Sequence, residues 1–252
     1  MPRLVATPHN PTVSNNALAD HIILVTGAGQ GLGRAAALAF AAHGATVVLH
    51  GRSVAKLEAV YDEITAAGGA EPAIMPLDYT TATQVQLDDF AEALHQMFGR
   101  VDGIFHAATY FSPLKPIALT PLVEWRSHLE VNVALPAALT GALLPLLKKS
   151  SAAAVVFLTE THALTPQAYW GAFATAKSAL AALVTMFCEE NPSVRFNLCL
   201  PGPAASPSRA QSHPGEAASA LVSPASIAPH FVYLMSAASG EVNDALYSCQ
   251  SV

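Results

Sequence analysis

The sequence is short of charged residues and of cysteine, and each shortage narrows the range of possible functions. Charged residues make up only 12% of the 252, with twelve basic and eighteen acidic side chains and a formal net charge of -6. Because no basic stripe is present, we expect no nucleic acid as a partner. The three cysteines, Cys188, Cys199 and Cys249, are widely spaced. This spacing is typical of buried thiols in a reducing compartment, so we expect a cytoplasmic protein.

Signals for targeting, membrane insertion and metal binding are also missing. Residues 1–20 contain no apolar core of signal-peptide length and are interpreted as an N-terminal extension. We expect no apolar run elsewhere to be long enough to cross a membrane. The ten histidines are scattered and form no cluster with the spacing of metal ligands. The sequence therefore predicts neither membrane association nor a bound metal ion.

Hydrophobic residues, in contrast, make up 52% of the chain, and strand-like and helix-like segments alternate along it. Strands are predicted at 21–26, 46–50, 73–77, 102–107, 153–159, 194–200 and 245–249. Helices are predicted at 31–43, 53–67, 81–98, 121–149, 168–190 and 226–236, with a mobile loop at 203–224. Pro136 and Pro145 are predicted to bend or interrupt the helix at 121–149. This alternation predicts a single α/β domain over residues 21–252, with a doubly wound parallel sheet of about seven strands and helices on both faces.

A glycine-rich turn follows the first predicted strand and opens the first helix. Its residues are Thr26, Gly27, Ala28, Gly29, Gln30, Gly31, Leu32 and Gly33. Glycine permits a positive φ and lets the backbone approach a pyrophosphate, while the helix that follows offers unpaired N–H groups. The pattern predicts a dinucleotide-binding turn, and the alternative is a tight strand-to-helix turn without a ligand.

Residues after the second and third strands bear on which dinucleotide binds. Gly51 and Arg52 stand where a carboxylate would favour NAD, and the guanidinium of Arg52 can hold a 2′-phosphate. NADP(H) is therefore favoured and NAD(H) remains possible, the alternative being a solvated surface arginine. Asp78 can accept a hydrogen bond from the adenine amino group, or it can cap the next helix.

These motifs together resemble the short-chain dehydrogenase/reductase family over nearly all of residues 21–252. The turn matches the family's Thr-Gly-x-x-x-Gly-x-Gly, and Asp78 matches its adenine-contacting aspartate. Further matches are the helix asparagine Asn132, the lysine Lys177 of Tyr-x-x-x-Lys, Pro201-Gly202 after the sixth strand, and Ser206 near the threonine that holds the nicotinamide carboxamide. The resemblance implies a Rossmann-type fold, hydride transfer on a small-molecule substrate, and a homodimer or homotetramer.

The chain departs from the family pattern at the residues that move the proton. Phe173 replaces the proton-donating tyrosine and Glu160 replaces the serine, while His106-Ala107-Ala108-Thr109 replaces Asn-Asn-Ala-Gly. Loss of a placed general acid costs on the order of a hundred- to ten-thousandfold in rate. Two functions therefore stay open: an oxidoreductase with a different proton donor or a different acceptor, such as a quinone or an activated alkene, and a catalytically silent member acting as a cofactor-binding, regulatory or partner subunit.

Several side chains are candidates for the missing donor. Tyr169 lies four residues before Phe173, which is one turn of the predicted helix. Thr161 and His162 follow Glu160, and Glu160 itself becomes an acid if burial raises its pKa. A further hypothesis is that Glu160 forms an ion pair with Lys177.

Overall fold

The computed structural model describes residues 2–5 and 11–250, which form one parallel sheet covered by helices. Its strands are β1 (Arg3–Val5), β2 (Ile22–Thr26), β3 (Thr46–Gly51), β4 (Ala73–Pro76), β5 (Gly103–His106), β6 (Ala154–Leu158), β7 (Arg195–Leu200) and β8 (Ala245–Ser248). They lie in the order β1-β8-β7-β6-β5-β2-β3-β4, and all neighbours are parallel. The order reverses between β2 and β5, which is where ligands bind in such sheets.

Helices cover both faces of the sheet, as predicted. They are α1 (Gly31–Ala42), α2 (Val54–Ala66), α3 (Gln84–Phe98), α4 (Leu122–Leu129), α5 (Leu135–Leu147), α6 (Thr161–Leu164), α7 (Gly171–Glu190), α8 (Pro207–Ser212) and α9 (Pro224–Met235). Successive residues of β2 point to opposite faces: Val25 joins the core formed with α1, α2 and α9, and Leu24 joins the core formed with α3, α5 and α7. The predicted doubly wound, Rossmann-type fold is confirmed.

The sheet has one strand more than the seven predicted. Arg3–Val5 lies in the predicted N-terminal extension and pairs in parallel with β8, and Leu18 from the same extension is fully buried. A three-residue strand gives too little pattern to be read from sequence. The extension therefore contributes to the sheet of the predicted domain.

The longest predicted helix, 121–149, is interrupted at a different place from the one expected. Pro136 and Pro145 were predicted to bend it, yet both lie inside α5, and a π-helical turn at Glu130–Ala134 separates α4 from α5. Since Pro136 has no N–H, the carbonyl of Asn132 loses its usual helical donor. The structural irregularity thus falls on a predicted site residue.

Two helical segments contradict the expectation that no apolar run is long enough to cross a membrane. Leu122–Leu147 and Gly171–Glu190 are both long and apolar enough to cross a membrane by length and composition. In the fold, the inner faces of α5 and α7 pack against the sheet through Leu139, Leu143, Leu180 and Val184, all of which are buried. Their hydrophobicity therefore serves at least in part to build one of the two cores.

Candidate active site

A cleft of about 460 Å³ opens at the carboxyl ends of the strands, within the range of volumes that hold small ligands. One end, called here the cofactor half, is lined by Gly27, Gly29, Gln30, Gly31, Leu32, Gly33, Arg52 and Asp78. The other end, called here the substrate half, is lined by Phe111, Glu160, His162, Trp170, Phe173 and Arg209. Lys177, Pro201, Gly202 and Ser206 also line the cleft, so it brings together nearly all of the predicted site residues.

The glycine turn of the cofactor half has the backbone geometry that its sequence predicts. Gly27 and Gly31 have φ of 67° and 56°, which disfavours any residue with a Cβ. A Cβ on Gly33 would lie 2.2 Å from the carbonyl oxygen of Gly27. The hydroxyl of Thr26 accepts hydrogen bonds from the backbone N–H groups of Ala107 and Ala108, 3.1 Å each. The turn is therefore held rigidly open, with its backbone free to face a pyrophosphate.

The nucleotide end of the cofactor half carries positive charge. Arg52 is exposed after β3, and the Lys56 ammonium donates to the side-chain oxygen of Gln30. Asp78 accepts from the backbone N–H and the hydroxyl of Thr80, at 2.9 and 2.8 Å, and chiefly the backbone bond lowers the pKa of its carboxyl. The alternative that Asp78 caps the next helix is wrong, because Thr83 caps α3. Contact with adenine stays a prediction.

Two histidines are buried at the strand ends below the cleft. The ring centroid of His50 lies 4.8 Å from that of Tyr79, and neither ring nitrogen of His50 has a hydrogen-bond partner. His106 stacks on Phe157 at 4.6 Å, and its Nε2 lies 2.9 Å from the hydroxyl of Thr140. Burial lowers the pKa of His50 to about 4 and that of His106 to about 3, so both rings are neutral at neutral pH.

Asn132 is buried in the π-helical turn and supports a loop of the cleft. Its side-chain oxygen accepts from the hydroxyl of Thr109 and the N–H of Tyr110, and its amide donates to the carbonyl of Tyr110, all within 2.9 to 3.1 Å. Every polar atom of this side chain is therefore engaged by residues 109–110. In this structure Asn132 shapes the loop that leads to Phe111, and its predicted part in proton transfer stays a prediction.

Lys177 is buried and Glu160 half-buried beside the cleft, but the two side chains do not pair directly. No nitrogen–oxygen approach within 4.0 Å joins them among the described ion pairs, so the hypothesis of a Glu160–Lys177 ion pair is wrong. The Lys177 ammonium donates instead to the carbonyl of Leu158, at 3.0 Å. Burial lowers its pKa to about 8, against the attraction of Glu160.

The carboxyl group of Glu160 is the most unusual polar group in the cleft. Its Oε1 is buried without a hydrogen-bond partner. Burial raises its pKa to about 7, although backbone N–H groups and the positive charges of Lys177 and Arg209 oppose the shift. At neutral pH a large fraction of this side chain therefore carries a proton that it can donate.

The position of the family tyrosine is occupied by a ring without a hydroxyl. Phe173 is only 8% exposed and packs edge-on against Phe111 at 5.0 Å and against His128 at 5.9 Å. Trp170 completes this aromatic cluster, 6.1 Å from Phe173. The ring therefore serves as a wall of the substrate half.

Tyr169 does not replace the missing hydroxyl through a helical turn. The prediction that places it on the same helix as Phe173 is wrong, because α7 begins at Gly171 and Tyr169 has a φ of 76° outside it. Its side chain is 59% exposed and does not line the cleft. Of the other candidates, Thr161 is exposed, and the His162 ring stacks on Trp170 at 3.9 Å, where burial lowers the pKa of its imidazole.

The residues that follow β7 line one side of the cleft. Gly202 has a φ of 74°, and the side chain of Gln250 donates to the carbonyls of Pro201 and Pro203. The hydroxyl of Ser206 caps α8 by accepting from the N–H of Arg209, at 3.2 Å. Ser206 therefore lies in the cleft as predicted, while its hold on a carboxamide stays a prediction.

Some cleft residues were missed by sequence reasoning. Arg209 lies in the segment predicted as a mobile loop, where no motif marks it. Thr159 lines the cleft with a buried hydroxyl that has no partner, and only its place at a strand end signals it. Lys56, four residues after Arg52, was detectable from the sequence as a second cation near the glycine turn.

Comparison with known proteins adds a family context to this geometry. The sequence profile of the short chain dehydrogenase family matches residues 21–217. The uncharacterized oxidoreductase YciK of Escherichia coli strain K12 is 36% identical over 219 residues, which cover 86% of this chain and 87% of that protein.

Solved structures agree with the fold over almost the whole chain. The 0.95 Å structure of yciK from E. coli superposes with a TM-score of 0.93 at 34% identity, covering 95% of this chain and 99% of the other. A short chain dehydrogenase from Shigella flexneri 2a str. 301, complexed with NADP, gives 0.92 at 33% identity over 94% and 100% of the chains. Another from Escherichia coli CFT073, complexed with NADPH, gives 0.92 at 34% identity over 95% and 100%.

Proposed function

The chain belongs to the short chain dehydrogenase family of oxidoreductases, and from this premise we propose that it transfers hydride between NADP(H) and a small carbonyl or alcohol substrate, with Glu160 as the residue that donates and accepts the proton. The observation that carries this proposal is the half-buried Glu160, which lines the same half of the cleft as Phe173 and whose Oε1 has no hydrogen-bond partner.

The cofactor half fits a dinucleotide with a 2′-phosphate. A Cβ at Gly27 would meet the backbone of Ala108 at 2.8 Å and one at Gly33 would meet Gly27, so only glycine lets this turn pack tightly where α1 begins. The N–H groups at the start of α1 suit a pyrophosphate. Arg52 and Lys56 supply two cations at the nucleotide end, in place of the carboxylate that selects NAD. Two structural neighbours solved with NADP or NADPH support the same cofactor.

The proposed proton transfer follows from the charge state of Glu160. NADPH held by the cofactor half would supply hydride to the carbonyl carbon. The neutral Glu160 carboxyl then gives its proton to the carbonyl oxygen, so that the C=O bond becomes CH–OH and Glu160 becomes a carboxylate. Lys177 and Arg209, both close enough to lower the pKa of Glu160, stabilise that carboxylate. In the opposite direction the carboxylate removes the alcohol proton as hydride leaves.

This assignment predicts opposite pH dependence for the two directions. Reduction needs protonated Glu160, so its rate falls as pH rises through the pKa of about 7. Oxidation needs the carboxylate, so its rate rises over the same interval. Lys177, His162 and Arg209 are the other ionisable side chains around this group. The pKa of Lys177 is higher, about 8, and the Glu160→Gln variant isolates the part of the profile that belongs to Glu160.

We also propose that the protein is a homodimer or homotetramer built on α4, α5 and α7. These elements make up the two long apolar helices, and their outer faces expose Leu122, Val123, Leu129 and Met186. Exposed apolar side chains on neighbouring helices favour association with a second copy. Light scattering coupled to gel filtration measures the mass, and a monomer at micromolar concentration contradicts the proposal.

The test of the proposed function is the pH profile of NADPH oxidation with a panel of aldehydes, ketones and quinones. Wild type should reduce at least one aldehyde or ketone. Glu160→Gln should lower kcat roughly a hundred- to ten-thousandfold and flatten the profile around pH 7, because glutamine cannot donate a proton. NADPH affinity, followed by fluorescence, should stay within about threefold of wild type.

The matched control is Glu190→Gln, the same change at an exposed position at the end of α7. It should leave both rate and profile unchanged. A Glu160→Gln variant with wild-type rates refutes the role of this carboxyl. Tight NADPH binding by wild type with no turnover of any panel member assigns the chain a cofactor-binding role without catalysis.

A further inference from the structure

Arg209, in the substrate half, is oriented by Glu216 and still has N–H groups without a hydrogen-bond partner among the described residues. The Nε and Nη2 groups of Arg209 donate to the two carboxylate oxygens of Glu216, at 2.6 and 2.9 Å. This bidentate pair occupies one edge of the planar guanidinium and fixes its plane. The other edge, formed by Nη1 and the second hydrogen of Nη2, has no hydrogen bond to any described residue.

The place of Arg209 in the fold puts its guanidinium near the reacting end of the cleft, where its charge lowers the pKa of Glu160. Arg209 lies on α8, whose first residue, Pro207, approaches the glycine turn: a Cβ on Gly31 would lie 3.4 Å from its Cδ. The segment after α8 approaches Trp170, whose ring centroid is 5.9 Å from that of His213. Arg209 therefore stands between the cofactor turn and the aromatic wall.

The surroundings of Arg209 define the kind of molecule that fills this half. Phe111, Trp170 and Phe173 form an apolar wall with ring centroids 5.0 to 6.1 Å apart. The side chain of Arg209 is only 23% exposed, so an anion that reaches it is largely desolvated and held strongly. An uncharged alkyl substrate would leave the free edge of the guanidinium without a partner.

We propose that Arg209 binds a carboxylate on the substrate, and that the substrate class is an aromatic or similarly flat apolar carbonyl compound bearing an acidic group. The inference rests on the proposed function, because it assigns the carbonyl to the Glu160 end of the same half. The flat body lies against Phe111, Trp170 and Phe173, and the carboxylate lies on the free edge of Arg209. Glu216 acts as a positioning residue that holds the guanidinium plane.

The experiment compares 4-carboxybenzaldehyde with its neutral methyl ester as substrates of the full chain with NADPH. Wild type should prefer the acid by roughly 10- to 100-fold in kcat/KM, the range expected for a charge-assisted hydrogen-bonded contact. Arg209→Gln should remove this preference mainly through KM, since the contact is present before and during the reaction. Arg126→Gln, an exposed arginine on α4, is the matched control and should keep the preference.

A second measurement separates this inference from the proposed function. Quenching of tryptophan fluorescence reports binding of 4-carboxybenzaldehyde to the NADP⁺ complex without any turnover. Binding of the acid that is lost in Arg209→Gln supports the inference, even if neither aldehyde is reduced and the proposed function fails. Equal use and equal binding of acid and ester by wild type overturn it.

The affinity for NADPH tests the competing role of Arg209. A cation near the glycine turn can also hold the phosphates of the cofactor. If Arg209→Gln weakens NADPH binding tenfold or more, the guanidinium belongs to the cofactor and the inference is overturned. NADPH affinity within about threefold of wild type, together with loss of the acid preference, supports it.

Discussion

The two halves of the cleft differ in what lines them: one is lined mainly by backbone and the other by side chains. The cofactor half is made mainly of backbone: positive φ angles at Gly27 and Gly31, and a Gly33 without room for a Cβ. The substrate half is made of side chains: an aromatic wall and the half-buried Glu160. The first half keeps the family pattern and the second departs from it.

This difference shows which parts of a fold tolerate replacement. A backbone cradle fits one ligand shape, and almost any side chain added to it collides with a neighbour. Side chains around a reacting atom can exchange roles as long as some group there carries a proton at the right pH. Phe173 and Glu160 are therefore interpreted as a changed proton donor on an unchanged cofactor site.

The largest expected effect comes from breaking the cofactor half at Gly33. Gly33→Ala places a Cβ 2.2 Å from the Gly27 oxygen, so the turn must shift. NADPH affinity should fall roughly 1,000-fold or more, measured by fluorescence titration. The matched control is Gly141→Ala on α5, where a Cβ meets nothing within 4 Å. It should bind NADPH normally and gain about 0.5 to 1 kcal/mol of stability. Normal NADPH binding by Gly33→Ala would show that the turn does not hold the cofactor.

The next effect concerns His50 and His106, the two histidines buried at strand ends. Because the folded-state pKa values of His50 and His106, about 4 and 3, lie below the unfolded value of 6.5, the unfolded chain takes up protons first. Stability is therefore full above pH 6.5 and is lost as pH falls toward 4. Each histidine should account for on the order of 2 to 3 kcal/mol of the loss between pH 7 and pH 4.5.

Urea denaturation at these two pH values checks that expectation. His50→Gln and His106→Gln should each reduce the acid destabilisation, because glutamine takes up no proton. His95→Gln, on the exposed side of α3, should retain the wild-type pH dependence. An acid response that is the same in all four proteins would place its origin in other groups.

A third change restores the family's own proton donor to the substrate half. Glu160→Ser alone should lower kcat about a hundredfold or more, and adding Phe173→Tyr should recover at least about tenfold, because a hydroxyl then stands one helical turn before Lys177. NADPH oxidation with an active aldehyde gives the measurement. Phe173→Leu in the same Glu160→Ser background should recover nothing. If Phe173→Tyr alone raises the wild-type rate tenfold, Glu160 is not an effective donor.

The smallest effect concerns the free energy of unfolding that the folded protein loses because the pKa of Glu160 is raised. Because the pKa of Glu160 is raised to about 7, its ionised form is disfavoured in the folded chain. Glu160→Gln should therefore stabilise the protein by about 1 to 2 kcal/mol at pH 8, a value reduced for partial solvent screening, and by almost nothing at pH 4. Urea denaturation at both pH values measures this. Destabilisation at pH 8 would mean that the carboxylate makes favourable contacts.

The sequence predicted the cofactor half far better than the substrate half, for a physical reason. Alternating strands and helices and a glycine turn are local patterns, and the parallel sheet follows from them. The substitutions at Phe173 and Glu160 were also visible, because their positions are set by spacing along one chain segment. What each replacement contacts was not visible, because that depends on elements far apart in sequence.

Three features illustrate that limit. Arg209 lines the cleft and pairs with Glu216, in a segment without a motif. Tyr169 lies outside α7, because the helix begins two residues later and the backbone of Tyr169 has a positive φ. Direct pairing of Glu160 with Lys177 was expected from opposite charge, yet the Leu158 carbonyl takes the ammonium instead. Each outcome is decided by packing in three dimensions.

The short strand β1 has a consequence for the behaviour of the protein in solution. Its pairing with β8 begins where the N–H of Arg3 donates to the carbonyl of Asp244, at 3.0 Å. Without these first residues, one side of β8 would present free N–H and carbonyl groups to any strand nearby. A three-residue strand is too short to recruit the next molecule in turn. Residues 3–5 therefore cover this edge of the sheet and prevent edge-to-edge aggregation. Deleting them should make the protein aggregate sooner.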